Sequence, residues 1–389
     1  MKKVLQISNY YYPNIGGIEQ VARDIANSLK CKEGEFEQKI LCFNETASDG
    51  DYKCFREESV SEYVDGIEVI RCGCITKKFS QSISLDFGRK LQNLMDNFKP
   101  DIVIFHYPNP YEAFFLTKYL NRDFKFILYW HLDIVKQKFI KMLFERQTRK
   151  LLERADKIIT TSPNYIEGSL YLKKHQSRCE VISNCISEKR IVITDEVIKK
   201  AEIIRKNCGD KIICFGVGRH IPYKGFKYLV EASKYLDDNY VIFIGGTGEL
   251  SGELKAQSKG DSKIVFLGRL SNEDLLAYFY AMDIFCFPSI TKNEAFGIAL
   301  AEGMYFGKPA VTFNIPGSGV NYVNMRNITG LEVSNCDSKA YADAINKLAE
   351  NKELRDKLGK AAKDRVLEYF MPDTFKRKIY DLVSGIKHN

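Results

Sequence analysis

Short apolar runs alternate with longer amphipathic stretches along most of the chain. VLQIS, QKILCF, GIEVIRC, IVIF, KFILYW and KIIT are the first such runs. KIICF, VIFIG, KIVFLG, DIFCF and GLEV follow in the second half. A strand buried on both faces reads as a near-continuous apolar run. Strand, loop and helix in that repeating order make the βαβ unit of a parallel sheet. The pattern predicts a strand over Val4–Ser8, helices over 18–30, 85–98 and 135–154, and a helical tail from about Asp337 to Tyr369. The rhythm fails at EKRIVITDEVIKKAEIIRKNCGD, which is charged and reads as a domain connection. It restarts at KIICFGVGR. Two doubly wound α/β domains are therefore expected. After Pro372 breaks the tail, the amphipathic last helix, DTFKRKIYDLVSGI, is expected to cross back onto the first domain.

The second domain is organised around Thr291 to Pro309, TKNEAFGIALAEGMYFGKP, which follows the strand-like DIFCFPS. A helix is expected from about Ala295, with Phe296, Gly297 and Ile298 in its first turn. Their N–H groups would have no intrahelical partners, and such a helix start favours anions. Glu302 lies eight positions after Glu294, and eight helical residues turn through roughly 800°. The two would not share a helix face cleanly, so Glu294 is placed in the loop and Glu302 in the helix, both toward one ligand. Two solvated glutamates are the plain alternative.

Other strand ends carry candidate chemistry. GVGRHIPYKGF puts Arg219 and Lys224 between a strand and a helix start, where two cations would neutralise a diphosphate. Gly246, in Gly245-Gly246, permits close backbone approach. Arg269 and Leu270 offer a backbone edge to a nucleotide base. In the first half, Gly16-Gly17 opens a helix without matching the dinucleotide fingerprint. His106 and His131 each follow an apolar strand, where ligands of parallel sheets gather. The stretch 135–154 mixes Lys136, Lys138, Lys141, Arg146, Arg149 and Lys150 with apolar residues. It could lie on an anionic membrane or be an ordinary surface helix.

Composition narrows the class. In 389 residues, 45% are hydrophobic and 28% charged, as in globular proteins. No apolar run approaches a transmembrane span, and the N-terminus reads as a strand rather than a signal peptide. Eleven scattered cysteines without a C-x-x-C pair suggest a reducing cytosol and no zinc site. A net charge of +8 favours anionic partners; no nucleic-acid-binding motif is present.

PNIGGIEQ, HYPNP, HLDIVKQK, SPNY, GRHIPYKG, NEAFGIALAEG, GKP and TGLEV resemble, in order, the landmarks of glycosyltransferase family 4. The resemblance implies the GT-B fold, two facing Rossmann-like domains. Residues 1–190 plus 372–389 would form the acceptor-side domain and 191–371 the donor domain. It implies retaining, metal-independent transfer of a hexose from a nucleotide-diphosphate sugar, with no cofactor. GDP-mannose is favoured over a UDP-sugar because the motifs look most like bacterial surface-polysaccharide mannosyltransferases. The acceptor would be a glycan or a polyprenyl-diphosphate-linked oligosaccharide, handled in the cytoplasm or at the inner face of the membrane. By motif, Arg219 and Lys224 would hold the diphosphate, and Phe296, Gly297 and Ile298 would offer N–H groups. Glu294 would bind the sugar and Glu302 the ribose. Gly16 and Gly17 would close over the phosphates, and His131 would contact the donor sugar. A nucleotide-sugar epimerase, a sucrose-type synthase and a non-catalytic GT-B subunit are the alternatives.

Overall fold

The computed structural model describes residues 1–14, 16–30, 34–47, 53–78, 81–133, 138–188 and 190–386. The chain divides into two compact units. Unit 1 comprises Met1–Thr161, Ser169–Ile182 and Phe375–Asn389; unit 2 comprises Ser162–Gly168 and Ser183–Thr374.

The apolar runs of the first half become the main sheet of unit 1. Its strands are β1 (Lys2–Ile7), β2 (Phe36–Phe43), β3 (Val60–Val64), β4 (Ile67–Cys72), β5 (Ile102–Tyr107), β6 (Lys125–Trp130), β7 (Lys157–Thr160) and β8 (Cys179–Val181). The spatial order is β8-β7-β6-β5-β1-β2-β4-β3. All neighbours run parallel except β3, which pairs antiparallel with β4. That hairpin turns at Asp65-Gly66, with φ of 50° and 76°, the left-handed pair that a tight two-residue turn requires. All of β5 is buried, as its unbroken apolar reading anticipates.

Unit 2 has β9 (Ile212–Val217), β10 (Tyr240–Gly245), β11 (Ile264–Gly268), β12 (Ile284–Phe287), β13 (Ala310–Phe313) and β14 (Gly330–Val333). Its all-parallel order, β11-β10-β9-β12-β13-β14, is that of a Rossmann-like sheet. Phe215, Phe279, Phe285, Leu300 and Tyr341 are among the buried side chains of its core. Each such residue contributes about 1.5–3 kcal/mol relative to exposure.

Two sequence expectations change. The stretch read as a domain connection is largely the helix Asp195–Cys208, capped by Thr194, whose hydroxyl accepts from the Val197 N–H at 3.3 Å. Val197 and Ala201 bury against Leu276, Ala277 and Ala281, so this charged segment belongs to unit 2. A one-sided apolar stripe was enough to hold it. The helix expected over 85–98 is α-helical only over Phe87–Asn93 and continues as a π-turn over Leu94–Phe98. Of the basic helix, Lys138–Arg154 is observed. Val135 and Lys136 lie outside the described residues, as do the side chains of Lys138 and Lys141.

The last helix, Pro372–Gly385, carries the chain back into unit 1. Lys2 Nζ donates to the carbonyls of Ser384 and Ile386 at 3.0 and 3.1 Å. Tyr380 donates to Glu35 at 2.6 Å and packs edge-on against Phe36. Among the described residues, no helix is long and apolar enough to cross a membrane.

Candidate functional site

In unit 2 the strand order switches direction between β9 and β12, and a doubly wound sheet gathers ligands beyond the carboxyl ends of such a pair. The loop after β9 delivers Arg219 and Lys224; the loop after β12 delivers Ser289, Glu294 and the approach to the helix Ile298–Tyr305. The two loops are bound together. Ile290 N–H donates to Tyr223 O at 2.9 Å. Gly225 holds φ at 64°, and a Cβ there would lie 2.1 Å from Pro288 O. Only glycine allows this approach.

Lys224 and Glu294, predicted from separate motifs, meet in an ion pair with side chains 14% and 12% exposed. Ser289 Oγ donates to the same carboxylate oxygen at 3.1 Å, and Lys224 lies over the Phe287 ring at 5.2 Å. Ser318 Oγ donates to Glu294 O at 2.5 Å. A Cβ on Gly319 would sit 2.0 Å from Ala295 O. The PGSG turn therefore supports the glutamate loop from below. Arg219 is exposed and bonds Tyr223 Oη at 3.3 Å, leaving most of its donor fork toward solvent.

The helix tip differs from expectation. Phe296 and Gly297 precede the helix, and Gly297 is its N-cap with φ of 90°. Phe296 is buried edge-on against Phe370. Leu300 and Ala301 N–H groups bond back to Gly297 O, so the donors aimed ahead of the helix are those of Ile298 and Ala299. A left-handed residue cannot continue a helix, which is why the start falls later than the apolar pattern suggested.

Glu302 lies inside the helix and is buried, with Arg190 Nη1 3.6 Å from its Oε1. Burial pushes its carboxyl above the ordinary range, and Arg190 pulls it partly back. Glu294 and Glu302 thus have different polar partners, rather than a common one. Gly246 packs closely against its own neighbouring loop. Its φ is 104°, and a Cβ would meet Gly218 O at 2.0 Å. Its N–H donates to Gly268 O at 2.6 Å. The close approach it permits is to its own neighbouring loop. Arg269 is exposed and Leu270 half-buried on the turn leaving β11.

In unit 1 the switch falls between β1 and β5. Gly17 begins the helix Gly17–Ser28, and Gly16 caps it. A side chain at Gly17 would meet nothing within 4 Å, whereas one at Gly16 would collide with Glu19. His106 is the penultimate residue of β5 and fully buried, and His131 follows β6. Their rings are hydrogen-bonded, His106 Nδ1 to His131 Nε2, at 2.9 Å, and His106 Nε2 lies 3.1 Å from Gln6 Oε1. Burial drives the His106 imidazole down to about 3 and His131 well below its usual value, so both are neutral at pH 7. Asp133, two residues after His131, accepts from Trp130 Nε1 at 3.0 Å and Ser169 Oγ at 2.8 Å.

Sequence reasoning missed several groups here. Ser289, Ser318 and Arg190 are ordinary surface residue types, and nothing in their spacing marks them. Glu112 sits in PYEAFF with both carboxyl oxygens buried and without a hydrogen-bond partner among the described residues. Burial raises its carboxyl well above the ordinary carboxylate range. A cavity of about 390 Å³ beside the basic helix is lined by Glu145, Arg149, Tyr171, Lys174 and His175. Tyr171 donates to Glu145 at 2.7 Å and His175 bonds Arg178, so these groups largely satisfy one another.

Comparison with known proteins matches residues 15–190 to the family model Glycosyltransferase Family 4 and residues 197–365 to Glycosyl transferases group 1. The O-antigen chain mannosyltransferase C of Escherichia coli is 29% identical over 372 residues, covering 95% of each chain. The D-rhamnosyltransferase WbpZ of Pseudomonas aeruginosa is 31% identical over 275 residues, covering 69% of this chain and 70% of its own. Among solved structures, a sucrose-phosphate synthase from Thermosynechococcus elongatus superposes with a TM-score of 0.77 at 18% identity, covering 99% of both chains. Anabaena Alr3699/HepE in complex with UDP-glucose gives 0.75 at 15% identity, covering 99% of this chain and 100% of its own. At these identities the structural matches speak for the fold alone.

Proposed function

Because this chain belongs to glycosyltransferase family 4, we propose that it moves a hexose from a nucleotide-diphosphate sugar to a glycan during surface-polysaccharide synthesis, with retention at the anomeric carbon. The observation that carries this reading is the pairing of Lys224 with Glu294 on two loops packed together at the switch point of the unit 2 sheet, beside Arg219 and the Ile298 helix tip. Cleaving a sugar–phosphate bond leaves negative charge on the phosphate and positive charge on the sugar. Arg219, Lys224 and the N–H groups of Ile298 and Ala299 would stabilise the first, and fixed groups of this kind are often the largest catalytic contribution. When a diphosphate takes Lys224, Glu294 is released to accept from sugar hydroxyls. Glu302, largely buried beside Arg190, would hold the ribose. His131 and Gly16-Gly17 are the unit 1 residues proposed to contact sugar and phosphate.

GDP-mannose is the leading donor, supported by the similarity to the mannosyltransferase, and a lipid-linked oligosaccharide the leading acceptor. Calorimetric titration with GDP, UDP, GDP-mannose and UDP-glucose, followed by transfer assays with the donor that binds, tests both. GDP-mannose is expected to bind most tightly and to be consumed only with acceptor. Binding of UDP-sugars alone would overturn the donor assignment. Undiminished transfer by Lys224→Ala would overturn the site.

A further inference from the structure

We infer that Gln6 and His106 form a relay that fixes His131 in one neutral tautomer, so that its other ring nitrogen, Nδ1, can only accept a hydrogen bond. The three residues come from the β1, β5 and β6 region of one sheet. β1 and β5 pair with Gln6 opposite Ile104, and β5 and β6 pair with His106 opposite Tyr129. Gln6, His106 and His131 are 1%, 0% and 7% exposed, so His131 is the least enclosed of three buried side chains.

The direction of the chain follows from its inner end. With the Gln6 amide in this orientation Oε1, an acceptor, faces His106 Nε2 at 3.1 Å, so His106 Nε2 carries the hydrogen. A neutral imidazole has one N–H, which leaves His106 Nδ1 as a lone pair. His131 Nε2, 2.9 Å away, must then be the donor. That leaves the lone pair of His131 on Nδ1. Two imidazolium rings could not face each other at this distance, and burial keeps both neutral. Ring orientation is held as well. Tyr129 stacks on the His131 ring at 4.5 Å, and the backbone N–H of His131 donates to Tyr107 O at 3.0 Å, fixing the main chain that carries the ring. The side chain has little freedom to turn over.

The consequence concerns what His131 recognises, and it rests on the proposed contact with the sugar. A lone pair attracts a hydroxyl hydrogen and repels a phosphate oxygen. His131 therefore reads a sugar hydroxyl as an acceptor. It neither stabilises the departing diphosphate nor donates a proton to it. Gln6 and His106 act through His131 and are positioning residues.

Nitrogen-15 NMR of the full-length protein labelled at histidine reads the tautomers directly, without any substitution. At pH 7.5, His131 and His106 are both expected to show a protonated Nε2 and an unprotonated Nδ1. A protonated Nδ1 on His131, or an imidazolium, would overturn the inference. Two variants separate positioning from simple stability. His106→Asn offers an amide oxygen near the place of Nδ1 and should retain the tautomer and most of kcat. His106→Leu offers no acceptor and should lose about tenfold in kcat/KM, the worth of one aligned hydrogen bond. Its affinity for the nucleoside diphosphate, read by calorimetry, should stay at the wild-type value. Equal activity in the two variants would also overturn the relay. If no donor is ever transferred by the wild-type protein, the functional reading fails while the tautomer result still stands on its own.

Discussion

Lys224 and Glu294 are each other's main electrostatic partner, and both are nearly buried. Removing one member leaves the other as a poorly solvated charge, which costs more than the pair contributes. Glu294→Gln should therefore lower kcat/KM by roughly 10²-fold, as for loss of one preorganised catalytic group. Glu294→Ala should also lower Tm. Steady-state kinetics beside a thermal melt distinguishes the two effects, and a melt unchanged by Glu294→Ala would contradict the buried pair. Glu112 carries the opposite expectation. Burial raises its folded-state carboxyl well above 4.5, so over some interval above 4.5 it holds a proton that the unfolded chain releases. Its contribution to stability is present at low pH and lost as pH rises above 4.5 toward the folded value. Glu112→Gln keeps the shape without the titration, so its Tm advantage over wild type should grow from pH 5 to pH 8. A constant difference across that range would refute the assignment. The ligand-like residue types were legible here because Arg, Lys and Glu at strand ends are unusual among apolar runs. Which of them touch was not legible, since Lys224 and Glu294 are joined by folding rather than by spacing.

At the scale of elements, the site depends on two loops that glycine allows to nest. Gly225 meets Pro288 O, and a Cβ at its φ of 64° would add strain to collision. Gly225→Ala should cost roughly 1–3 kcal/mol and part the loops that carry Lys224 and Glu294. Donor affinity measured by calorimetry should fall together with Tm; loss of stability with unchanged affinity would show that the loops do not depend on this contact. The helix Ile298–Tyr305 was visible in the sequence, but its first residue was not. Periodicity reports which face is buried, whereas the left-handed φ of Gly297 is imposed by the chain entering from β12. The helix Asp195–Cys208 was hidden for a related reason. Its exposed face carries most of the charge and masks the narrow stripe that packs on Leu276 and Ala277.

For the whole molecule, the C-terminal helix ties the end of the chain to its beginning through Lys2, Glu35 and Phe36. A variant ending at Thr374 should melt earlier in unit 1 and leave unit 2 unchanged, as hydrogen exchange resolved by unit would report. Protection lost equally in both units would refute this. Acid should also bear on unit 1 through its buried histidine. His106 has a folded value near 3 against 6.5 in the open chain, so its contribution is intact above 6.5 and is lost progressively as pH falls toward 3. Replacing it with Gln should flatten the decline of Tm over that interval, and an unaltered slope would count against a buried neutral imidazole. Hydrophobic rhythm alone determined the parallel α/β character, the existence of most strands and the strand-end placement of the chemistry. These depend on local burial, which each residue records for itself. Tertiary structure decided the strand orders, the Lys224–Glu294 and Glu302–Arg190 pairs, the Gln6–His106–His131 chain and the inward use of Gly246. Each of these joins residues far apart in sequence, so no local pattern could carry it.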